Sequence, residues 1–195
     1  SCFSLRTYAI VGTRSASSEG KWLARRLAAG LASRGAIVIR GLARGIDAVA
    51  HEASAEVGRT VAVLGHGLSY TAPRQNQGIR DKIIRSGGLL VTTWPDSTPP
   101  RPYRFPLRNR WIAGLADCVV VVEAPQKSGA LHTARAGFEL GRDVYAVPGR
   151  PDDAKMEGCL SLISQGAGVL ASVDDFLEQR VGCRRPVGDS WVLHV

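Results

Sequence analysis

Short runs of apolar, β-branched residues recur along the chain, and a segment with helical spacing follows each one. The runs 6–12 (RTYAIVG), 36–41 (AIVIRG), 60–65 (TVAVLG), 89–94, 118–124 and 144–149 carry too little polar alternation to leave one face wet. A strand buried on both faces belongs to a parallel sheet between two layers of helices. Helices are expected over 18–34, 46–56, 76–85, 108–116 and 133–140. A last unit is expected as a helix over 158–165, a strand over 169–172 and a helix over 174–179. In the first helix Leu23, Leu27 and Leu31 recur on one face, Ser17 or Ser18 supplies the cap, and Glu19 lies in the positive first turn. The expected fold is α/β: a doubly wound, mostly parallel sheet with helices on both faces.

The 195 residues suit one domain over 1–180, followed by a tail or linker stump over 181–195 where the pattern fades. The Pro-rich stretch 95–106 reads as a long surface loop. The longest apolar run, Cys118 to Val122, is far short of the roughly 20 residues of a membrane span, and no signal peptide opens the chain. Cys2, Cys118, Cys159 and Cys183 are scattered without metal-site spacing, which points to a reduced, cytoplasmic setting with no metal and no cofactor.

The net charge of +8 points to an acidic polymer as partner, and only four of the 25 basic residues are lysine. Guanidinium groups bind phosphate through two parallel hydrogen bonds, so the positions of the arginines carry the argument. In an open parallel sheet, ligands sit beyond the carboxyl ends of the strands. Four segments there are rich in glycine, hydroxyls and cations. The first, Gly12-Thr13-Arg14-Ser15, runs from a strand into a helix start, where amide groups and the helix dipole suit an anion. The second holds Gly41, Arg44 and Gly45, with Asp47 placed to cap the next helix or, alternatively, to orient Arg44 or Arg14. His51, one turn later, reads as a packed structural residue. The third, Arg108-Asn109-Arg110, is expected to open a helix after Phe105, and the fourth is Lys127-Ser128-Gly129. Four such loops at one sheet edge favour a polyanion site. Tyr103 and Phe105 are the candidate stacking residues, although packing is the expected role of both, and Trp111 is expected in the core.

The exclusions narrow the reading further. No GxGxxG, Walker A sequence or GxSxG elbow occurs, and the second strand ends in Arg40-Gly41 where a dinucleotide site would place a carboxylate. Glu123 is the lone carboxylate closest to the four loops, and it is expected to pair with arginines rather than act as a base.

The stretches AIVGTRSAS, GLARGIDAVAH, VAVLGHGL, FPLRNRWIAGLAD, VVVVEAPQKSGALHTA and VYAVPG, in this order over roughly residues 7 to 172, resemble the DprA/Smf family of DNA-processing proteins. The resemblance implies an extended Rossmann-like fold that binds single-stranded DNA, forms a homodimer and helps load the RecA recombinase in natural transformation, with no catalysis. It further implies that Arg14 holds a phosphate and that Gly41, Arg44 and Gly45 build the same pocket. Arg74, with Asn76 beside it, would be a second DNA contact, and Arg108, Asn109, Arg110, Lys127, Ser128 and Gly129 would complete a basic groove. The sequence departs from the family pattern at Ala72, Thr92-Thr93 and Leu160. It leaves no place for the winged-helix or N-terminal helical domains of some members, so a minimal member or a domain of a longer protein is expected. The rival readings are a nucleotide-binding sensor and a LOG-type nucleotide phosphoribohydrolase. The second is weakened because KSGALHTARAG lacks the ribose-handling Glu of a PGGxGTxxE-like loop.

Overall fold

A computed structural model of the chain describes residues 5–181. The elements run β1 (Thr7–Val11), α1 (Ser18–Ser33), β2 (Ile37–Arg40), α2 (Ile46–Val57), β3 (Thr60–Leu64), a 3₁₀ turn (Arg74–Asn76) and α3 (Gln77–Arg85). They continue as β4 (Leu89–Thr92), α4 (Arg104–Leu115), β5 (Cys118–Val121), α5 (Ala130–Glu139), β6 (Asp143–Ala146), α6 (Glu157–Ser164), β7 (Gly168–Val169) and α7 (Val173–Val181). The expected tail lies outside the described residues apart from Val181, as do Cys2 and Cys183.

The seven strands form one sheet in the order β4-β3-β2-β1-β5-β6-β7, and every pairing is parallel. Alternate residues of each central strand feed opposite cores. Ala9, Val11, Ile39, Val63, Val119 and Val121 pack with Ile112, Leu131 and Leu162 on the α4–α5–α6 face. Tyr8, Ile10, Val38 and Val120 pack with Leu27, Leu31, Ala50 and Phe176 on the α1–α2–α7 face. Both faces are thus dry, which is why these strands read as continuous apolar runs. Cys118 and Cys159 are buried free thiols, and burial pushes their pKa up to about 12 and about 11. Among the described residues, no helix is long and apolar enough to cross a membrane.

The strand order reverses between β1 and β5. Loops leaving adjacent strands there diverge toward opposite faces and open a crevice beyond the carboxyl ends. Thr13 N donates to Glu123 O at 2.7 Å, fastening the loop after β1 to the loop after β5 at this crevice.

Helix starts fall close to expectation, with one exception that matters for the site. α4 opens at Arg104 rather than Arg108, because Pro106 is accommodated in the first turn, where no intrahelical donor is needed. Arg108, Asn109 and Arg110 therefore lie inside the helix and point in three directions. Trp111 is not in the core: it is 47% exposed on the outer side of α4.

Candidate nucleic-acid interface

The loops after β1, β2 and β5 and the first turns of α4 enclose a cleft of about 450 Å³. Gly12, Thr13, Arg14, Asp47, Phe105, Arg108, Asn109, Lys127, Ser128 and Gly129 all line it, so residues from all four of the expected segments meet there. A second cleft of about 580 Å³ adjoins it, lined by Arg14, Ser15, Gly41, Arg44, Pro73, Phe105 and Arg108. Arg14, Phe105 and Arg108 are shared, so they form the ridge between the two. The guanidinium carbons of Arg14 and Arg108 lie 6.0 and 5.8 Å from the Phe105 ring centroid.

The cations divide by burial. Arg14, Arg44 and Lys127 are exposed, and no carboxylate of the described residues lies within ion-pair distance of any of them. Their charge is available to a ligand. Arg108 is buried, and its Nη1 donates to the carbonyl oxygens of Gly41 and Val63. It shapes the floor of the clefts more than it offers a free fork. Burial lowers its pKa to about 10, against the pull of Asp47, so it stays charged at neutral pH.

Asp47 does not cap α2, and it orients neither Arg44 nor Arg14. The N-cap is Gly45, and the Asp47 carboxylate takes Arg40 Nη2 at 2.9 Å and the Gly41 amide at 3.2 Å. Arg40 is fully buried at the end of β2, a place where a lone cation would be strongly disfavoured, so the carboxylate is its required partner. Burial alone would raise the Asp47 pKa. The charges of Arg40 and Arg108, with the Arg40 hydrogen bond, hold it below the usual carboxylate range instead. His51 is a packed residue, as expected. Thr60 Oγ1 already donates to Val38 O at 2.7 Å, so the 2.8 Å contact to His51 Nδ1 requires the ring to be the donor. Burial, aided by Arg40, depresses the His51 pKa to about 3.

Glu123 pairs with no arginine. It is 3% exposed and accepts from Ser17 N at 3.1 and 3.2 Å and from Ser17 Oγ, placing its charge at the positive end of α1. Ser17 Oγ in turn accepts from Gly20 N at 2.9 Å, confirming Ser17 as the cap. A Cβ on Gly20 would lie 2.2 Å from Glu123 Oε2, so the first turn of α1 is built around this carboxylate. The sequence offered one signal of this role: an acidic residue ending a wholly apolar strand, opposite a helix that starts with serines.

Four expected site residues, Arg110, Arg74, Asn76 and Gly45, line neither cleft. Arg110 faces away from the cleft and pairs with Glu139 at 2.7 Å. Arg74 stands exposed beside a separate depression with Tyr70 and Arg80. Asn76 is buried and donates to Leu42 O at 2.9 Å and Ala43 O at 3.0 Å. Its amide therefore holds the loop after β2, in which Leu42 adopts φ 57°. Gly45 lines neither cleft, yet the loop depends on it. It has φ 72°, and a Cβ there would lie 2.3 Å from Thr13 O. Asn109 bridges two segments, taking Arg108 Nε at 3.2 Å and donating to Gly129 O at 3.3 Å. Sequence reasoning missed Arg40 and its pairing with Asp47. An arginine ending an otherwise apolar strand was the available sign.

Comparison with known proteins agrees with this picture. The profile of the family described as DNA recombination-mediator protein A matches residues 1–180. Protein Smf of Escherichia coli is 44% identical over 171 residues, covering 87% of this chain and 46% of the relative. The chain spans about half the length of the curated relatives it matches. The crystal structure of DNA processing protein A from Streptococcus pneumoniae superposes with a TM-score of 0.81 at 36% identity, covering 90% of this chain and 62% of that one. The Helicobacter pylori protein of the same name, whose structure addresses its single-stranded DNA binding mode, gives a TM-score of 0.85 at 25% identity, with coverage of 92% and 82%. The extended Rossmann-like fold, the order of the motif loops and these matches together show that the chain belongs to the DNA recombination-mediator protein A family, the DprA/Smf proteins.

Proposed function

We propose that this domain binds single-stranded DNA along the paired clefts, protects the strand, helps load RecA onto it, and catalyses no reaction. The observation that carries the reading is the convergence of Arg14, Arg44 and Lys127, all exposed and free of carboxylate partners, around clefts floored by the buried Arg108. Phosphates can lie against these cations while a flexible strand bends between the loops; a stiff duplex bends only at a large elastic cost. The two carboxylates nearest the clefts are committed elsewhere, Asp47 to Arg40 and Glu123 to Ser17, so neither stands ready as a general base. Family membership supports the same function, as does the single-stranded DNA binding of the Helicobacter pylori relative. Action as a homodimer in the cytoplasm belongs to this proposal.

The test is fluorescence anisotropy with labelled single-stranded and duplex oligonucleotides between 50 and 200 mM salt. With three phosphates neutralised, log K should fall against log[salt] with a slope of about −2 for the single strand. The duplex should bind at least tenfold more weakly. Equal binding of both forms, or displacement of the strand by micromolar mononucleotide, would overturn the reading in favour of a nucleotide sensor.

A further inference from the structure

We propose that Tyr103 is a stacking platform for a nucleobase of the strand held in the clefts, an inference that rests on the single-stranded DNA reading above. Tyr103 is the N-cap residue of α4, and it is 60% exposed, where an aromatic residue would ordinarily bury its ring. Its ring is nonetheless held. The Arg104 guanidinium carbon lies 5.3 Å from the Tyr103 centroid and 4.9 Å from the Trp94 centroid, so the cation is layered between two rings. Arg104 Nη1 also donates to Pro99 O, which pins the guanidinium in that layer. Trp94, Arg104 and Tyr103 thus form a stack whose outer member is open to solvent.

The stack and the clefts are linked through the start of α4, with Tyr103 itself lining neither cleft. Phe105, two residues after Tyr103, forms the ridge shared by both clefts and lies near the guanidinium groups of Arg14 and Arg108. Two groupings of rings and arginines thus flank the start of α4, Phe105 with Arg14 and Arg108 in the clefts and Tyr103 with Arg104 and Trp94 outside them. A base leaving the clefts on this side would add one more layer, on a ring already ordered by Arg104. Little side-chain freedom would then be lost on binding, which is the condition under which an exposed aromatic residue contributes most to affinity. The neighbouring cations Arg101 and Arg104 favour a polyanion over an apolar protein segment as the occupant.

The experiment compares a labelled 20-mer of thymidylate with a 20-mer of the same length built of abasic sugars, on wild type, Tyr103→Ala, Tyr103→Phe and Arg14→Ala. Tyr103→Ala should weaken thymidylate binding about tenfold and leave abasic binding and the salt slope unchanged, because a stacking contact is lost and no charge is removed. Tyr103→Phe should restore wild-type affinity. Arg14→Ala should weaken both strands alike. If Tyr103→Ala binds thymidylate as wild type does, or loses both strands equally, the stacking role is overturned while the DNA-binding reading stands. If wild type binds neither strand, both fall.

Discussion

The buried guanidinium of Arg108 donates to the carbonyl oxygen of Gly41, tying α4 to the loop after β2 across 67 residues of sequence. A Cβ on Gly41 would lie 2.3 Å from that guanidinium, so glycine is the residue that lets the two approach. Through this contact the floor of both clefts is set before any ligand arrives. Replacing Arg108 by Met should lower unfolding stability by about 3 kcal/mol, since the carbonyls of Gly41 and Val63 lose their buried donor. Single-strand affinity should fall with it. Urea denaturation run alongside anisotropy checks both, and retention of full stability would show that the carbonyls find other partners.

Asp47→Asn should be among the most damaging isosteric changes in the molecule. It leaves Arg40, which is fully buried, without its counter-charge, and breaking a buried pair from one side costs about 3–5 kcal/mol. The measurement is the denaturation midpoint. A loss below about 1 kcal/mol would mean that Arg40 is compensated elsewhere.

His51 gives the fold a defined pH dependence. Its folded pKa, about 3, lies below the ordinary 6.5, so between these values the unfolded chain binds the extra proton. This contribution is fully present above pH 6.5 and is lost as the pH falls below it. Between pH 7 and pH 5 the loss should be roughly 2 kcal/mol. In His51→Gln the pH dependence should flatten by about that amount, and an unchanged profile would exclude His51 as its source.

Gly45→Ala should disturb the site more than its position outside the clefts suggests. The residue would be held at φ 72° with its Cβ 2.3 Å from Thr13 O and 2.6 Å from Arg14 O. These are backbone atoms, so the Thr13–Arg14 turn must move. We expect a stability loss of about 1–3 kcal/mol from the conformation alone and single-strand affinity reduced more than tenfold. Gly78→Ala, in α3 with open space around its Cβ, is the control and should leave affinity unchanged while raising stability by up to about 1 kcal/mol.

The central strands were legible in the sequence because burial on both faces writes them as continuous apolar runs, and the loops at their ends stood out by their glycines and arginines. The environment of individual polar residues was not legible in the same way. Arg108 and Arg110 are two residues apart, and only the position of the α4 start decides which one enters the core and which faces Glu139. Pro106 hid that start, since a proline can end a loop or sit in a first helical turn. Asp47 sits where a capping residue is expected, yet its partner Arg40 is recognisable only once β2 is known to end in a dry core. Asn76 and Glu123 likewise serve backbone groups brought near by the sheet order, which local spacing does not encode.

Single-strand affinity over a salt series, for Arg14→Ala against wild type, decides whether the clefts hold the strand. Arg14 belongs to both clefts and is exposed, so its removal should leave the fold intact. Affinity should be at least tenfold weaker and the salt slope shallower by about 0.7, the value of one phosphate contact. A variant that binds the strand with wild-type affinity and wild-type slope would mean that the strand does not lie in the clefts.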